Sequence, residues 1–174
     1  MKQHSLRPLF TSEEIQQKTR ALARKISADY RDGHIIVIGV LKGSFVFLAD
    51  IIRHLTLETT IDFVQISSYG SFRHSTGSCT LKKDVGVDIA GRDVLVVEDI
   101  IDTGETLHFL LRELRKRNPA SLKVCSLVDK PSSRTKIIPV DYFGFTVGDN
   151  FIVGFGLDYD ERYRSLPGIY ALED

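Results

Sequence analysis

The sequence predicts a single α/β domain, a mainly parallel sheet flanked by helices. Three observations predict it. Short apolar, β-branched runs at residues 35–40, 94–97 and 122–128 lack polar alternation, the profile of strands buried on both faces. Segments with helical signals separate them, the spacing of strand–helix–strand units. The 174 residues suffice for one core, and no repeat, low-complexity tract or linker divides them.

Each element has its own warrant. Thr11-Ser12-Glu13-Glu14 is a helix start, a hydroxyl cap followed by acids that suit the positive end of the helix dipole. Ile15, Leu22 and Ile26 continue it as an apolar stripe to Tyr30, and Asp32-Gly33 ends it. After the 35–40 strand, Leu41-Lys42-Gly43-Ser44 turns the chain into a second helix that ends near Leu55. Residues 61–66 make another strand. The polar, glycine-containing stretch 67–78 is too weakly apolar to pack and reads as a long mobile loop with a loose hairpin. The 94–97 strand ends in Glu98-Asp99, and a helix runs from about Gly104 to Arg117, stopped by Asn118-Pro119. Residues 122–128 and 142–147 give the fourth and fifth strands. The tail, 151–174, has no clear period.

Composition excludes several classes. Apolar residues make up 43% and charged residues 26%, ordinary for a soluble globular chain, and no apolar stretch reaches the roughly 20 residues that span a bilayer. Residues 1–11 lack the apolar core of a secretion signal, so a cytoplasmic protein is expected. A formal net charge of zero without a basic block argues against nucleic acid as a bulk partner. Cys79 and Cys125 have no metal-ligand spacing and read as reduced thiols. None of the five histidines has ligand spacing; His74, in the polar loop, reads as solvated.

Ligands of parallel sheets bind beyond the carboxyl ends of the strands, so chemistry is sought in the residues just after each strand. Residues 94–106 join a buried strand, an acidic pair and a hydroxyl-rich turn that opens a helix. Free N–H groups at a helix start cradle phosphate; Thr103 and Thr106 add hydroxyls, and Gly104 lets an oxygen approach closely. Glu98 and Asp99 suit a sugar diol and Mg²⁺, a hard cation that takes oxygen ligands. A plainer account is open for part of the segment: Asp102 and Glu105 stand three apart and could form a capping box. It leaves unexplained why two further carboxylates crowd an apolar strand end. Asp102-Thr103-Gly104 also matches the aspartic-protease triplet, but that chemistry needs two copies in β loops, not one at a helix start.

With these residues the chain resembles the type I phosphoribosyltransferases, whose phosphoribosyl pyrophosphate motif has this form, and the resemblance runs over nearly the whole chain. Leu41-Lys42-Gly43-Ser44 resembles the pyrophosphate loop of the hypoxanthine-guanine branch, and Ser67-Ser68-Tyr69-Gly70 the start of its mobile catalytic loop. Asp129-Lys130-Pro131 resembles the purine-recognition segment, residues 151–159 the base-stacking stretch, and Arg162-Tyr163-Arg164 the closing basic element. Asp102 marks the 6-oxopurine enzymes, where adenine-specific relatives carry a small residue.

The resemblance implies a type I phosphoribosyltransferase fold over residues 1–174, with a lid at about 67–87 and a small hood from the N-terminal segment and about 148–174. It implies transfer of the 5-phosphoribosyl group from phosphoribosyl pyrophosphate to N9 of hypoxanthine or guanine, giving IMP or GMP and pyrophosphate, with Mg²⁺ as cofactor. Lys42, Gly43 and Arg164 are expected at pyrophosphate. Glu98, Asp99, Asp102, Thr103, Gly104, Glu105 and Thr106 are expected at ribose and 5′-phosphate. Lys130, Phe151, Ile152 and Asp158 are expected at the purine, Ser68 and Tyr69 in the lid, and Glu98, Asp99 and Asp158 near metal. Asp102 is the expected general base. The residues alone allow plainer roles: Lys42 as a solvated loop lysine, Lys130 as a surface lysine and Phe151 as a core aromatic. Two alternatives stay open, a xanthine-preferring relative and a non-catalytic sensor of phosphoribosyl pyrophosphate. Homodimers or homotetramers are implied by the resemblance alone.

Overall fold

The computed structural model describes residues 5–30, 33–69 and 78–173. Six strands form the central sheet: β2 (His34–Leu41), β3 (Glu58–Tyr69), β4 (Ser78–Lys83), β5 (Asp93–Ile101), β6 (Ser121–Asp129) and β7 (Tyr142–Thr146). Their spatial order is β4-β3-β2-β5-β6-β7, all parallel except β4, which returns antiparallel along β3. The chain first moves from β2 to β3, then crosses back to lay β5 on the other side of β2. The sheet's direction of growth therefore reverses between β2 and β5, the topological switch point where open α/β sheets bind ligands.

Alternate residues of the buried strands feed two cores. Ile35 and Val37 of β2 face α1 (Ser12–Asp29) and α2 (Phe45–Ile52), together with Leu95 and Val97 of β5. Ile36, Ile38 and Val40 face the other way, with Leu107, Leu110, Leu111 and Leu114 of α3 (Glu105–Arg115). Both faces are covered, so the strands read as continuous apolar runs. Helix α1 starts as its sequence dictates: Thr11 accepts from the Glu14 N–H at 3.2 Å, and Glu14 accepts from the Thr11 N–H at 2.8 Å.

Several sequence expectations need correction. Strand β5 runs on to Ile101, so Glu98 and Asp99 lie inside the strand, with Glu98 level with Ser126 of β6. Part of the 67–78 loop is strand: β3 continues to Tyr69 and β4 begins at Ser78, while residues 70–77, including His74, lie outside the described residues, as does His4. The Asp102–Glu105 capping box does not form. The cap of α3 is Gly104, at φ +81° with no side-chain cap bond, and Glu105 instead accepts from the Thr135 hydroxyl at 3.0 Å. The chain ends carry strands that the tail's lack of period concealed. β1 (Ser5–Phe10), β9 (Ile169–Glu173) and β8 (Ile152–Val153) form a separate antiparallel sheet, in that order. Cys79 and Cys125 are free thiols.

Candidate active site

Three chain segments converge at the carboxyl ends of β2 and β5. The first leaves β2 through a cis Leu41–Lys42 peptide. Ser44, fully buried, donates its hydroxyl to the Val40 carbonyl at 2.7 Å and so ties the turn back to the strand. Gly43 fits because it has no side chain: a Cβ there would lie 1.7 Å from an Asp99 carboxylate oxygen. Across from it, a Cβ on Gly156 would lie 2.2 Å from the Gly43 carbonyl oxygen. The loop after β2, the acid of β5 and the segment after β8 therefore meet closely, at glycines only.

The second segment is the end of β5 and the start of α3. Residues 98–104, with Thr106 and Leu107, line a cavity of about 230 Å³. Its mouth is the N-terminus of α3, where helix N–H groups point outward and favour an anion. Thr103 fixes the turn: its carbonyl accepts from the Thr135 and Lys136 N–H groups at 3.0 and 3.3 Å. Beneath the mouth sit two crowded acids. Burial, and then the Asp99 charge, push Glu98 well above the ordinary carboxylate range. Burial pushes Asp99 up to about 6, with Asp158 adding to the rise, against the backbone N–H groups and Arg164 that favour its ionised form. The Glu98 Oε2 atom is buried, and no partner for it is found among the described residues.

That orphaned oxygen, beside a second carboxylate, is what a hard divalent cation answers. The described residues hold no cluster of three or more potential metal-ligating side chains. Mg²⁺ does not require one, because it is bound through one or two carboxylates together with water and substrate phosphates. The acid pair fits such an ion.

The third segment carries Lys130, Phe151 and Ile152. Lys130 is 7% exposed; its N–H donates to the Ile101 carbonyl at 2.9 Å, and its Nζ to the Asn150 carbonyl at 3.4 Å. The ammonium lies 3.8 Å from Asp102 Oδ2, while Asp102 itself is half exposed. Lys130 is therefore not a surface lysine. Arg134, paired with Asp129 in a largely buried ion pair, holds the turn that carries it. Phe151 is 43% exposed and meets the edge of Tyr159 at 5.4 Å, so it is not a core aromatic. Its neighbour Ile152 is buried in β8.

Arg164 donates to the Gly156 carbonyl at 2.7 Å and pairs with Asp158 at 2.8 Å. Glu161 joins Lys42 to Arg164, with contacts of 2.9 and 3.2 Å. The backbones of Ser68 and Tyr69 pair with Cys79 and Ser78; their side chains lie outside the described ones.

The structure thus brings Gly43 against Asp99 and links Lys42, through Glu161, to Arg164 and Asp158. Asp99 also lines the cavity that Asp102, Thr103, Gly104 and Thr106 line, and Lys130 lies beside Asp102. Glu161 and Gly156 were missed by sequence reasoning. The only signal for Glu161 is an acid three residues before an arginine, and for Gly156 a glycine in an aromatic stretch.

Comparison with known proteins shows the family. Residues 8–160 match the family described as "Phosphoribosyl transferase domain". The chain is 44% identical over 173 residues to the hypoxanthine-guanine phosphoribosyltransferase of Bacillus subtilis (strain 168), covering 99% of this chain and 96% of that one. It is 42% identical over 168 residues to the hypoxanthine phosphoribosyltransferase of Escherichia coli (strain K12), covering 95% and 94%. Among solved structures it resembles a hypoxanthine-guanine phosphoribosyltransferase from Bacillus anthracis, with TM-score 0.91 at 45% identity, over 98% of this chain and 99% of that one.

Proposed function

This chain belongs to the phosphoribosyltransferase family, and on that premise we propose that it is a purine-salvage transferase that converts hypoxanthine or guanine to IMP or GMP. Phosphoribosyl pyrophosphate is the donor and pyrophosphate the leaving group. The observation that carries the base class is the 3.8 Å spacing of Asp102 and Lys130, with Lys130 reaching the carbonyl of Asn150, the residue before the exposed Phe151. A 6-oxopurine presents N7 and O6 side by side on one edge, whereas adenine presents an amino donor in place of O6. A lysine and a carboxylate held this close address both atoms of that edge.

Lys130 donates to O6, and Phe151 stacks on the ring. The Ile152 backbone and Asp158 border the base edge. Adenine would leave the Lys130 ammonium facing another donor, a strong penalty at a site 7% exposed. Asp102 takes the proton at N7 as N9 bonds to the anomeric carbon and the bond to pyrophosphate breaks; half exposed, its carboxylate is open to the base. Thr103, Gly104, Glu105 and Thr106 hold the 5′-phosphate at the α3 N-terminus. Lys42, the Gly43 N–H and Arg164 take the pyrophosphate. Glu98 and Asp99 position the ribose hydroxyls and, with Asp158 nearby, would hold Mg²⁺, which when bound neutralises charge on the departing pyrophosphate. Ser68 and Tyr69, at the end of β3, act as lid residues that exclude water from the cationic transition state. A cytoplasmic location and a homodimer or homotetramer complete the proposal.

The test is pyrophosphate release with phosphoribosyl pyrophosphate and Mg²⁺ against hypoxanthine, guanine, xanthine and adenine in parallel. Turnover with hypoxanthine or guanine and none with adenine is expected. A rate highest with xanthine would move the chain to the xanthine-preferring branch. Tight donor binding without turnover would leave only a sensor.

A further inference from the structure

We propose that Glu161 is a built-in occupant of the pyrophosphate subsite, whose carboxylate holds Lys42 and Arg164 together until the pyrophosphate of the substrate displaces it. The proposal rests on the assignment of those two cations to pyrophosphate. Glu161 Oε1 lies 2.9 Å from Lys42 Nζ, and its Oε2 lies 3.2 Å from Arg164 Nη2. One anion thus bridges two cations contributed by separate loops, as a pair of phosphate oxygens does.

The bridge is built to open. The Lys42 and Glu161 side chains are 55% and 63% exposed, so water screens their attraction. Arg164 is anchored independently by the Gly156 carbonyl and Asp158, and keeps its place when Glu161 leaves. Once the carboxylate swings into solvent, Lys42 and Arg164 both face an anion of greater charge, with Asp158 still paired to Arg164.

The backbone at Glu161 supports a functional reason for the side chain. The Tyr159 and Arg162 N–H groups each donate to the other's carbonyl, at 3.2 and 3.1 Å, and close a two-residue hairpin. Asp160 and Glu161 form its tip with φ of +52° and +60°. Positive φ at both central positions is the type I′ pattern, whose second position favours glycine. A long side chain there is strained. The turn itself gains nothing from glutamate, whereas the two cations gain a partner.

Titration calorimetry of magnesium pyrophosphate into wild type, Glu161→Gln, Glu161→Gly, Lys42→Ala and the Lys42→Ala/Glu161→Gln double variant tests this. Both Glu161 variants are expected to bind pyrophosphate about threefold to tenfold tighter, the range that one exposed and one half-exposed ion pair allow. Glu161→Gly is also expected to melt at a higher temperature than wild type, because it relieves the turn. KM for phosphoribosyl pyrophosphate should fall with the Kd, and KM for the purine should stay put, a split that a merely structural residue would not produce. Lys42→Ala should weaken binding at least tenfold and shrink the gain from Glu161→Gln in the double variant. Unchanged or weaker binding by Glu161→Gln, with Lys42→Ala still impaired, overturns the displacement and leaves the subsite standing. Unchanged binding by Lys42→Ala overturns the subsite, and the proposal with it.

Discussion

In the proposed function Asp102 and Lys130 divide the work at the base edge, and their substitution should separate cleanly in kinetics. Asp102→Asn keeps the shape but removes the proton acceptor, so kcat is expected to fall by about 10²–10⁴, with donor binding little changed. Steady-state rates beside calorimetry of phosphoribosyl pyrophosphate check it; an equal loss in donor affinity would return Asp102 to a positioning role. Lys130→Gln offers both a donor and an acceptor at O6. It is expected to lower activity with hypoxanthine and to raise the adenine-to-hypoxanthine ratio of kcat/KM, measured with the two bases in competition. Asp102 was legible only through the family resemblance, because an aspartate between an apolar strand and a helix is equally suited to cap that helix. Lys130 was legible only as part of a family pattern. Its burial depends on the Arg134–Asp129 pair and on Asn150, contacts that no local spacing encodes. Glu161 was illegible for the same reason: its partner Lys42 lies 119 residues away.

Among the elements, β3, the strand that leads to the proposed lid, has its own fastening. Asp62 of β3 pairs with Lys83 at 3.0 Å and accepts from the Gly86 and Val87 N–H groups at 2.6 and 3.2 Å, pinning the chain as it returns from β4. Burial opposes its ionisation, but Lys83 and these N–H groups prevail and hold the carboxyl at about 2. A lowered carboxyl pKa gives stability that is present above the unfolded value near 4 and is lost as pH falls through 2. Asp62→Asn should therefore cost about 2 kcal/mol at pH 7, and the gap to wild type should close by pH 2 in denaturant melts. Long, apolar elements such as β2 and α1 were readable because burial on one or both faces sets their pattern. Strands β1, β8 and β9 were not, since each is short and finds its partner only when the two chain ends meet. The end of β5 was misjudged because a strand that carries two carboxylates violates the usual apolar pattern, and a sequence break in that pattern looks the same whether the site lies within the strand or beyond it.

For the whole molecule, the crowding that suits Glu98 and Asp99 to a cation is a liability without one. Glu98 is buried and Asp99 half-buried toward the end of β5, where burial raises both carboxyls. Asp99 has a folded pKa of about 6 against an ordinary value of 3.8, so its contribution to stability runs opposite to that of Asp62. It is fully present below about pH 4 and lost as pH rises through about 6. In the metal-free, ligand-free protein, Asp99→Asn should then be more stable than wild type at pH 8, by on the order of 2–3 kcal/mol or several degrees in Tm. Near pH 4 the two should converge. Mg²⁺ with phosphoribosyl pyrophosphate should reverse the order at pH 8, because only wild type has the charge that the ligand complex answers, and binding stabilises the folded state by mass action. Differential scanning fluorimetry across pH 4–8, with and without donor and Mg²⁺, reads all three comparisons. A variant no more stable than wild type at pH 8 would mean that the buried carboxylates are already relieved by the protein itself. A cation would then be unnecessary to explain them.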